Sequence, residues 1–150
     1  MCGIIGAAST RNVGKILVNG LKKMEYRGYD SAGLVLNKEN EAIQLRTLGK
    51  VSKLEELMAQ KKPRAKSDIA HTRWATHGEP SQTNAHPHSS KGSIYIVHNG
   101  IIENHDELRE KLSNEGYKIE SETDSELIAH LIHSNKEKGR GTLEALIDST

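Results

Sequence analysis

Two hydrophobic periodicities alternate along this chain, and their order limits what it can fold into. Gly3 to Ala7 is a run of small and aliphatic residues that reads as a short buried strand. From Asn12 the period changes. Val13, Ile16, Leu17, Leu21 and Met24 recur at helical spacing, with Lys15, Lys22 and Lys23 on the opposite side. Tyr26 to Gly33 is a loop punctuated by glycine. Ala32 to Asn37 and Ala42 to Leu48 read as two strands joined by the polar turn Lys38-Glu39-Asn40-Glu41. Val51, Leu54, Leu57 and Met58 mark a short helix, and Lys61 to Ser67 is a basic, polar connection. Asp68 to Ala75 predicts a strand running into a loop. Thr76 to Gly92 is long, polar and interrupted by Pro80 and Pro87, and loops of that length in compact domains are mostly functional or mobile. Ser93 to His98 reads as a strand that stops at the turn dipeptide Asn99-Gly100. Asn104 with Glu107 predicts a capping-box start for a helix carrying Leu108 and Leu112, which Gly116 ends. Tyr117 to Glu120 reads as one more strand. Thr123 with Glu126 predicts the cap of a helix with Leu127, Ile128, Leu131 and Ile132 on its apolar face. Thr142 opens a last helix with Leu143, Leu146 and Ile147. Strands and helices alternating in this way, with hairpin-like pairs among them, predict an α+β or mixed α/β layered fold.

Composition narrows the classes of function. The chain has 150 residues, enough for one domain with a real core, and no Phe and one Trp, so that core must be built from Ile, Leu, Val and Ala. The net charge is +1 with no basic cluster, which argues against a nucleic-acid partner. One cysteine cannot form an internal disulfide, and its isolation predicts a reducing, cytoplasmic setting. No apolar run is long enough to span a bilayer, and the N-terminus lacks the pattern of a signal peptide, so no membrane partner is expected. The last helix is amphipathic, yet no later strand follows for it to pack on. The chain therefore reads as a fragment of a longer protein.

That single cysteine is Cys2. A thiol attacks a carbonyl carbon as thiolate, and a free thiol has a pKa of about 8.5, so it needs a base. Removal of Met1, which a side chain as small as Cys permits, would give Cys2 its own base. The freed α-amine, with a pKa of about 7.7–8.0, can take the thiol proton directly or through one water. Gly3 would let a substrate approach the backbone. The plainer alternative is a small apolar residue opening a buried strand. Acyl transfer also needs donors for a tetrahedral oxyanion. Asn99-Gly100 offers a side-chain amide and a backbone N–H side by side, or is a plain turn. A substrate amino acid needs a cation and an anion for its α-substituents. Arg73, at a strand end, suits a bidentate grip on a carboxylate. Asp124, at a helix start, suits an ammonium, or else complements the helix dipole. Eight histidines invite a metal site, above all His86-Pro87-His88, but no zinc-type spacing of acids or cysteines accompanies them, so no metal is expected.

Six stretches carry a resemblance. They are Met1-Cys2-Gly3-Ile4 with Tyr26-Arg27-Gly28-Tyr29-Asp30-Ser31-Ala32-Gly33, His71 through Ser81, Asn84-Ala85-His86-Pro87-His88, Val97 through Asn104, and Ser121 through Glu126. Together they resemble the glutaminase domain of class II glutamine amidotransferases, which are N-terminal-nucleophile hydrolases. The resemblance spans the whole chain and is strongest to the branch whose ammonia acceptor is fructose 6-phosphate. It implies an αββα four-layer sandwich, here incomplete at its C-terminus, and hydrolysis of L-glutamine to glutamate and ammonia without a cofactor. By resemblance Cys2 is the nucleophile, Asn99 and Gly100 form the oxyanion hole, Arg73 holds the glutamine carboxylate and Asp124 its ammonium. Trp74, Thr76 and His77 line a loop that closes over glutamine, and Arg27 lies close to the nucleophile. Residues 1–150 would be the N-terminal part of the glutaminase domain. The sugar-isomerase domain, through which a homo-oligomer is expected to assemble, lies outside the chain. The alternatives are another class II amidotransferase, of the purine or asparagine synthesis type, and a non-catalytic or His-metal binding module.

Overall fold

In the computed structural model, residues 2–38, 41–61, 65–75 and 78–149 are described. The elements run β1 (Gly3–Ala8), α1 (Gly14–Met24), a 3-10 turn (Glu25–Arg27), β2 (Ser31–Lys38), β3 (Glu41–Leu48), α2 (Val51–Lys61), β4 (Ser67–Arg73), β5 (His88–Ser90), β6 (Ile94–Ile96), α3 (His105–Asn114), α4 (Ser125–Glu137) and α5 (Thr142–Ile147).

Four strands form an antiparallel sheet in the order β1-β4-β2-β3. Its register explains its two faces. Ile5 lies opposite Ala70, Ala70 opposite Leu34, and Leu34 opposite Leu45. This row meets Leu17, Val18 and Leu21 of α1 and Val51 and Leu54 of α2, forming the main apolar core. Neighbouring residues point the other way. Ile4, His71, Gly33 and Arg46 form the next row across the sheet, on the inner face. The hairpin β5-β6 and its flanking chain pack against that inner face. Gln44 Nε2 donates to the Pro87 carbonyl at 2.5 Å, and Arg46 Nη1 to the Ala85 carbonyl at 3.3 Å. On the far side of the hairpin, Ile128 and Ile132 of α4 cluster with Ile94 and Ile96. Helices, sheet, sheet and helices thus follow in layers, as an αββα sandwich.

Gly33 sets how closely the two sheets approach. A Cβ built on it would lie 2.1 Å from the His86 carbonyl oxygen and 2.9 Å from that of Leu45. Both atoms belong to backbone, which cannot swing aside as a side-chain tip does. Gly33→Ala is therefore expected to cost about 3 kcal/mol, the upper end for overpacking. Urea denaturation of the variant beside the parent measures it.

Four expectations change. First, the long polar stretch contains β5, whose residues His88, Ser89 and Ser90 lack apolar alternation because their partners are polar. Thr123 Oγ1 is 2.9 Å from His88 Nε2, while His130 Nδ1 and His133 Nδ1 flank Ser90 Oγ at 2.8 and 2.9 Å. Second, Tyr117 to Glu120 form no strand. Tyr117 and Ile119 instead fill a small core with Leu112 and Leu127, and the Glu120 N–H donates to the Glu126 carboxylate at 2.9 Å. Third, neither anticipated side-chain cap forms: Asn104 and Asp124 head α3 and α4 without one. Glu126 is engaged elsewhere, accepting from Ser121 Oγ and from the Ser121 N–H, each at 2.6 Å. Fourth, α5 buries Ala145, while Leu143, Leu146 and Ile147 face outward.

Candidate active site

The pairing of β1 with β4 places the start of the chain. Gly3 lies opposite Thr72, so Cys2 falls beside the residues where β4 ends. There the Trp74 N–H donates to Cys2 Sγ at 3.2 Å, and the sulfur also lies 3.6 Å from the Trp74 carbonyl oxygen. Cys2 is half-buried at one wall of a cleft of about 700 Å³. Arg27, Arg73, Trp74, Asn99, Gly100 and Asp124 line the same cleft. Thr76 and His77 lie outside the described residues.

Each lining group is held by a different part of the fold. Arg73 is the last residue of β4, on its inner face, and is buried. Its Nη2 donates to the Gly78 carbonyl at 3.1 Å and its Nη1 to the Glu79 carbonyl at 3.4 Å, with Asp30 Oδ1 3.9 Å away. Asp30, just before β2, also accepts from Ser31 Oγ at 2.8 Å and from the Ala75 N–H. The chain after β4 is thereby tied back over the sheet end. Trp74 is 52% exposed. Its ring lies on Gly28, whose φ of 96° favours glycine and whose Cβ would come within 2.4 Å of the indole. Asp124 heads α4. Its Oδ2 accepts the Ile102 N–H at 2.7 Å and its Oδ1 the Ser125 hydroxyl at 3.3 Å. That hydroxyl also lies 3.1 Å from His98 Nδ1. The Asp124 carboxylate is thus oriented by the segment that follows Asn99 and Gly100.

Several residues of the site lie within the quoted stretches without a role that the sequence assigns to them. His86 and His98 line the cleft beside Cys2. His71 and His86 stack between the sheets with ring centroids 4.1 Å apart, and His88 meets His86 edge-on at 4.4 Å. Burial holds these three rings neutral. It brings His71 down to about 4 and His88 to about 3, and holds His86 well below the usual range. The rings of His71 and His86 stack rather than converge, and among the described residues no three His, Cys, Asp or Glu side chains form a metal-holding group. Asn84 and Glu122 form a second unforeseen pair. Asn84 Nδ2 donates to Glu122 Oε2 at 2.8 Å and its Oδ1 accepts the Glu122 N–H at 2.9 Å. They clamp residues 79–84 to the segment entering α4. The hydrogen bond from Asn84 holds the Glu122 carboxyl below its ordinary range.

A thiol, a buried guanidinium, a carboxylate and an amide–N–H pair around one cleft suit a small substrate bearing both charges of an amino acid. The fold has known counterparts. The glutamine phosphoribosylpyrophosphate amidotransferase of B. subtilis, complexed with ADP and GMP, superposes with a TM-score of 0.81 over 99% of this chain and 32% of that one, at 24% identity. A structure of the allosteric regulatory enzyme of purine biosynthesis superposes with a TM-score of 0.82 over the same shares, at 25% identity. The architecture is thus that of N-terminal-nucleophile amidotransferases. The family described as "Glutamine amidotransferase domain" matches residues 71–147, and the chain belongs to that family. It is 57% identical over 150 residues to the glutamine–fructose-6-phosphate aminotransferase (isomerizing) of Haemophilus influenzae, covering 99% of this chain and 24% of that protein. It is 57% identical over 134 residues to the enzyme of the same name from Pseudomonas putida, covering 89% and 22%. The chain therefore spans about a quarter of the length of these relatives. Among the described residues no helix is long and apolar enough to cross a membrane.

Proposed function

We propose that this chain hydrolyses the side-chain amide of L-glutamine through Cys2, as the N-terminal part of the glutaminase domain of a glutamine–fructose-6-phosphate aminotransferase. The observation that carries the reading is the position of Cys2 Sγ, held by the Trp74 N–H in one cleft with Arg73, Asp124 and Asn99-Gly100.

The chemistry follows from those groups. Arg73 and Asp124 grip the α-carboxylate and α-ammonium, which points the side-chain amide at the sulfur. With Met1 removed, the Cys2 α-amine takes the thiol proton and Sγ bonds to the amide carbon. The carbonyl electrons move onto oxygen, where the Asn99 amide and the Gly100 N–H stabilise the charge. The α-ammonium returns its proton to nitrogen as the C–N bond breaks, and ammonia leaves. Water, deprotonated by the same amine, then cleaves the γ-glutamyl thioester and restores the thiol. Trp74 and Arg27 close the substrate side of the cleft, and the roles that the resemblance implies for Thr76 and His77 fall outside the described residues. The ammonia passes to fructose 6-phosphate on a sugar-isomerase domain outside this chain, which also assembles the homo-oligomer. The identity to relatives of that name favours this acceptor over those of purine or asparagine synthesis. The lone cysteine of this stretch is in keeping with a reducing, cytoplasmic setting.

Acid quenching during turnover is expected to trap one glutamyl group on the N-terminal peptide, which must begin at Cys2. Mass spectrometry reads both features. A retained Met1 in the active protein, or a glutamyl group elsewhere, overturns the proposal.

A further inference from the structure

His71 stands two residues before Arg73 on β4, so strand alternation sends both side chains to the inner face. Arg73 lines the cleft; His71 lies beneath it, 1% exposed. His71 Nε2 is 2.7 Å from Asn99 Oδ1. Among the described residues its buried Nδ1 has no hydrogen-bond partner of ordinary geometry, although the His98 backbone also acts on this ring. One nitrogen of a neutral imidazole must carry the proton. A buried N–H with no acceptor costs more than an unused lone pair. The proton therefore sits on Nε2 and is donated to Asn99 Oδ1. The stack with His86, with the ring planes 19° apart, fixes the plane of the His71 ring, and the 2.7 Å contact fixes which edge of it faces Asn99.

The consequence reaches the reaction. An asparagine amide has an accepting end and a donating end of nearly the same shape, and nothing in its own torsions strongly prefers one flip. If His71 claims the oxygen, the Nδ2 hydrogens are left for the cleft. With the flip reversed, the amide oxygen would face the developing oxyanion and repel it. We propose that His71 is a positioning residue that fixes the amide flip of Asn99, so that this side chain presents its N–H to the oxyanion of the glutamine intermediate. The inference rests on the reading of Asn99 as an oxyanion donor given above.

Three measurements test it. In His71→Phe the ring and its stack remain but the donor is lost. Its kcat for glutamine hydrolysis is expected to fall at least tenfold, toward the 10²–10³ that loss of one oxyanion donor costs, with KM nearly unchanged. In the Asn99→Ala background the same change is expected to have almost no further effect on kcat. A purely structural role would instead add in full. In His71→Gln a side-chain N–H returns, and kcat is expected to recover above the Phe variant. Should these variants not fold, nitrogen NMR of the histidine-labelled parent still decides, because the proposal requires His71 to be protonated at Nε2. A proton on Nδ1, additive effects in the double variant, or an unchanged kcat in His71→Phe each overturn it. If Asn99→Ala alone leaves kcat intact, it is the underlying reading of the oxyanion hole that fails, and the two failures are distinct.

Discussion

Cys2→Ala is expected to reduce glutamate release from glutamine to background, a loss on the order of 10⁶ in kcat, while the protein stays folded. The scale is that of removing the attacking atom from a covalent hydrolase, where the remaining groups bind substrate but have nothing to deliver. Arg73, Asp124 and Asn99-Gly100 still line the cleft in the variant, so glutamine binding should change little, and equilibrium binding of labelled glutamine tests that. Stability should hardly move. Cys2 is half-buried at the mouth of the first strand, and the Trp74 N–H that faces its sulfur turns to water instead. Cys2→Ser is a sharper version of the same test. The hydroxyl occupies nearly the same place, but its far weaker acidity leaves the α-amine unable to produce the nucleophile. Both variants are expected to be inactive, and a Ser variant within tenfold of the parent would mean that thiolate formation is not what limits the reaction. A single measurement separates this from misfolding: thermal unfolding of both variants should stay within about 1 kcal/mol of the parent.

What could be read before the fold was known, and what could not, divides along the range of the interactions. The order of elements was legible because periods of two and 3.6 are local. Val13 to Met24 and the hairpin of β2 and β3 announce themselves residue by residue. Tyr117 to Glu120 imitated a strand because Tyr117 and Ile119, two apart, both dip into one small core, although no neighbouring strand takes their backbone. β5 was concealed for the opposite reason: its polar side chains are satisfied by α4 and Thr123, partners far away in sequence. The outward face of α5 departs from its pattern because the side that packs on α4 is built around Ala145 and not the larger residues. In the site, Cys2, Arg27, Arg73, Trp74, Asn99, Gly100 and Asp124 were all named from motifs, and the fold brings them to one cleft. The stack of His71 on His86 and the bond from His71 to Asn99 could not have been named. They depend on the register of β4 and on the separation of two sheets, which Gly33 sets from a third strand.

That same buried stack predicts how the protein fails in acid. The folded state holds His71 down to about 4, His88 to about 3 and His86 well below the usual range, chiefly because burial penalises the charged ring. In the unfolded chain each titrates near 6.5. Between those values the unfolded chain binds protons that the folded one refuses. Stability therefore rises with pH through this window and is lost as pH falls below about 6.5. Each proton changes stability by about 1.4 kcal/mol per pH unit, so three sites give a slope of up to about 4 kcal/mol per pH unit once all three have titrated in the unfolded chain. Glu126 acts in the same sense at lower pH. Burial alone would raise it, but the hydrogen bonds from His130, Ser121 and Glu120 outweigh that and hold it at about 2. Its contribution is present above the ordinary glutamate range and disappears toward that value. Urea denaturation at pH 7.0, 6.0 and 5.0 separates the two effects, because ordinary carboxylates remain mostly ionised in both states down to about pH 5. The expected result is a steepening loss between the last two points, corresponding to uptake of more than one proton. With a typical margin of about 5–15 kcal/mol, the protein should unfold near pH 4. A slope of less than one proton between pH 6.0 and 5.0 would mean that the three rings are hydrated enough to ionise in place, and that the inter-sheet layer is not the dry histidine stack on which the geometry of Asn99 depends.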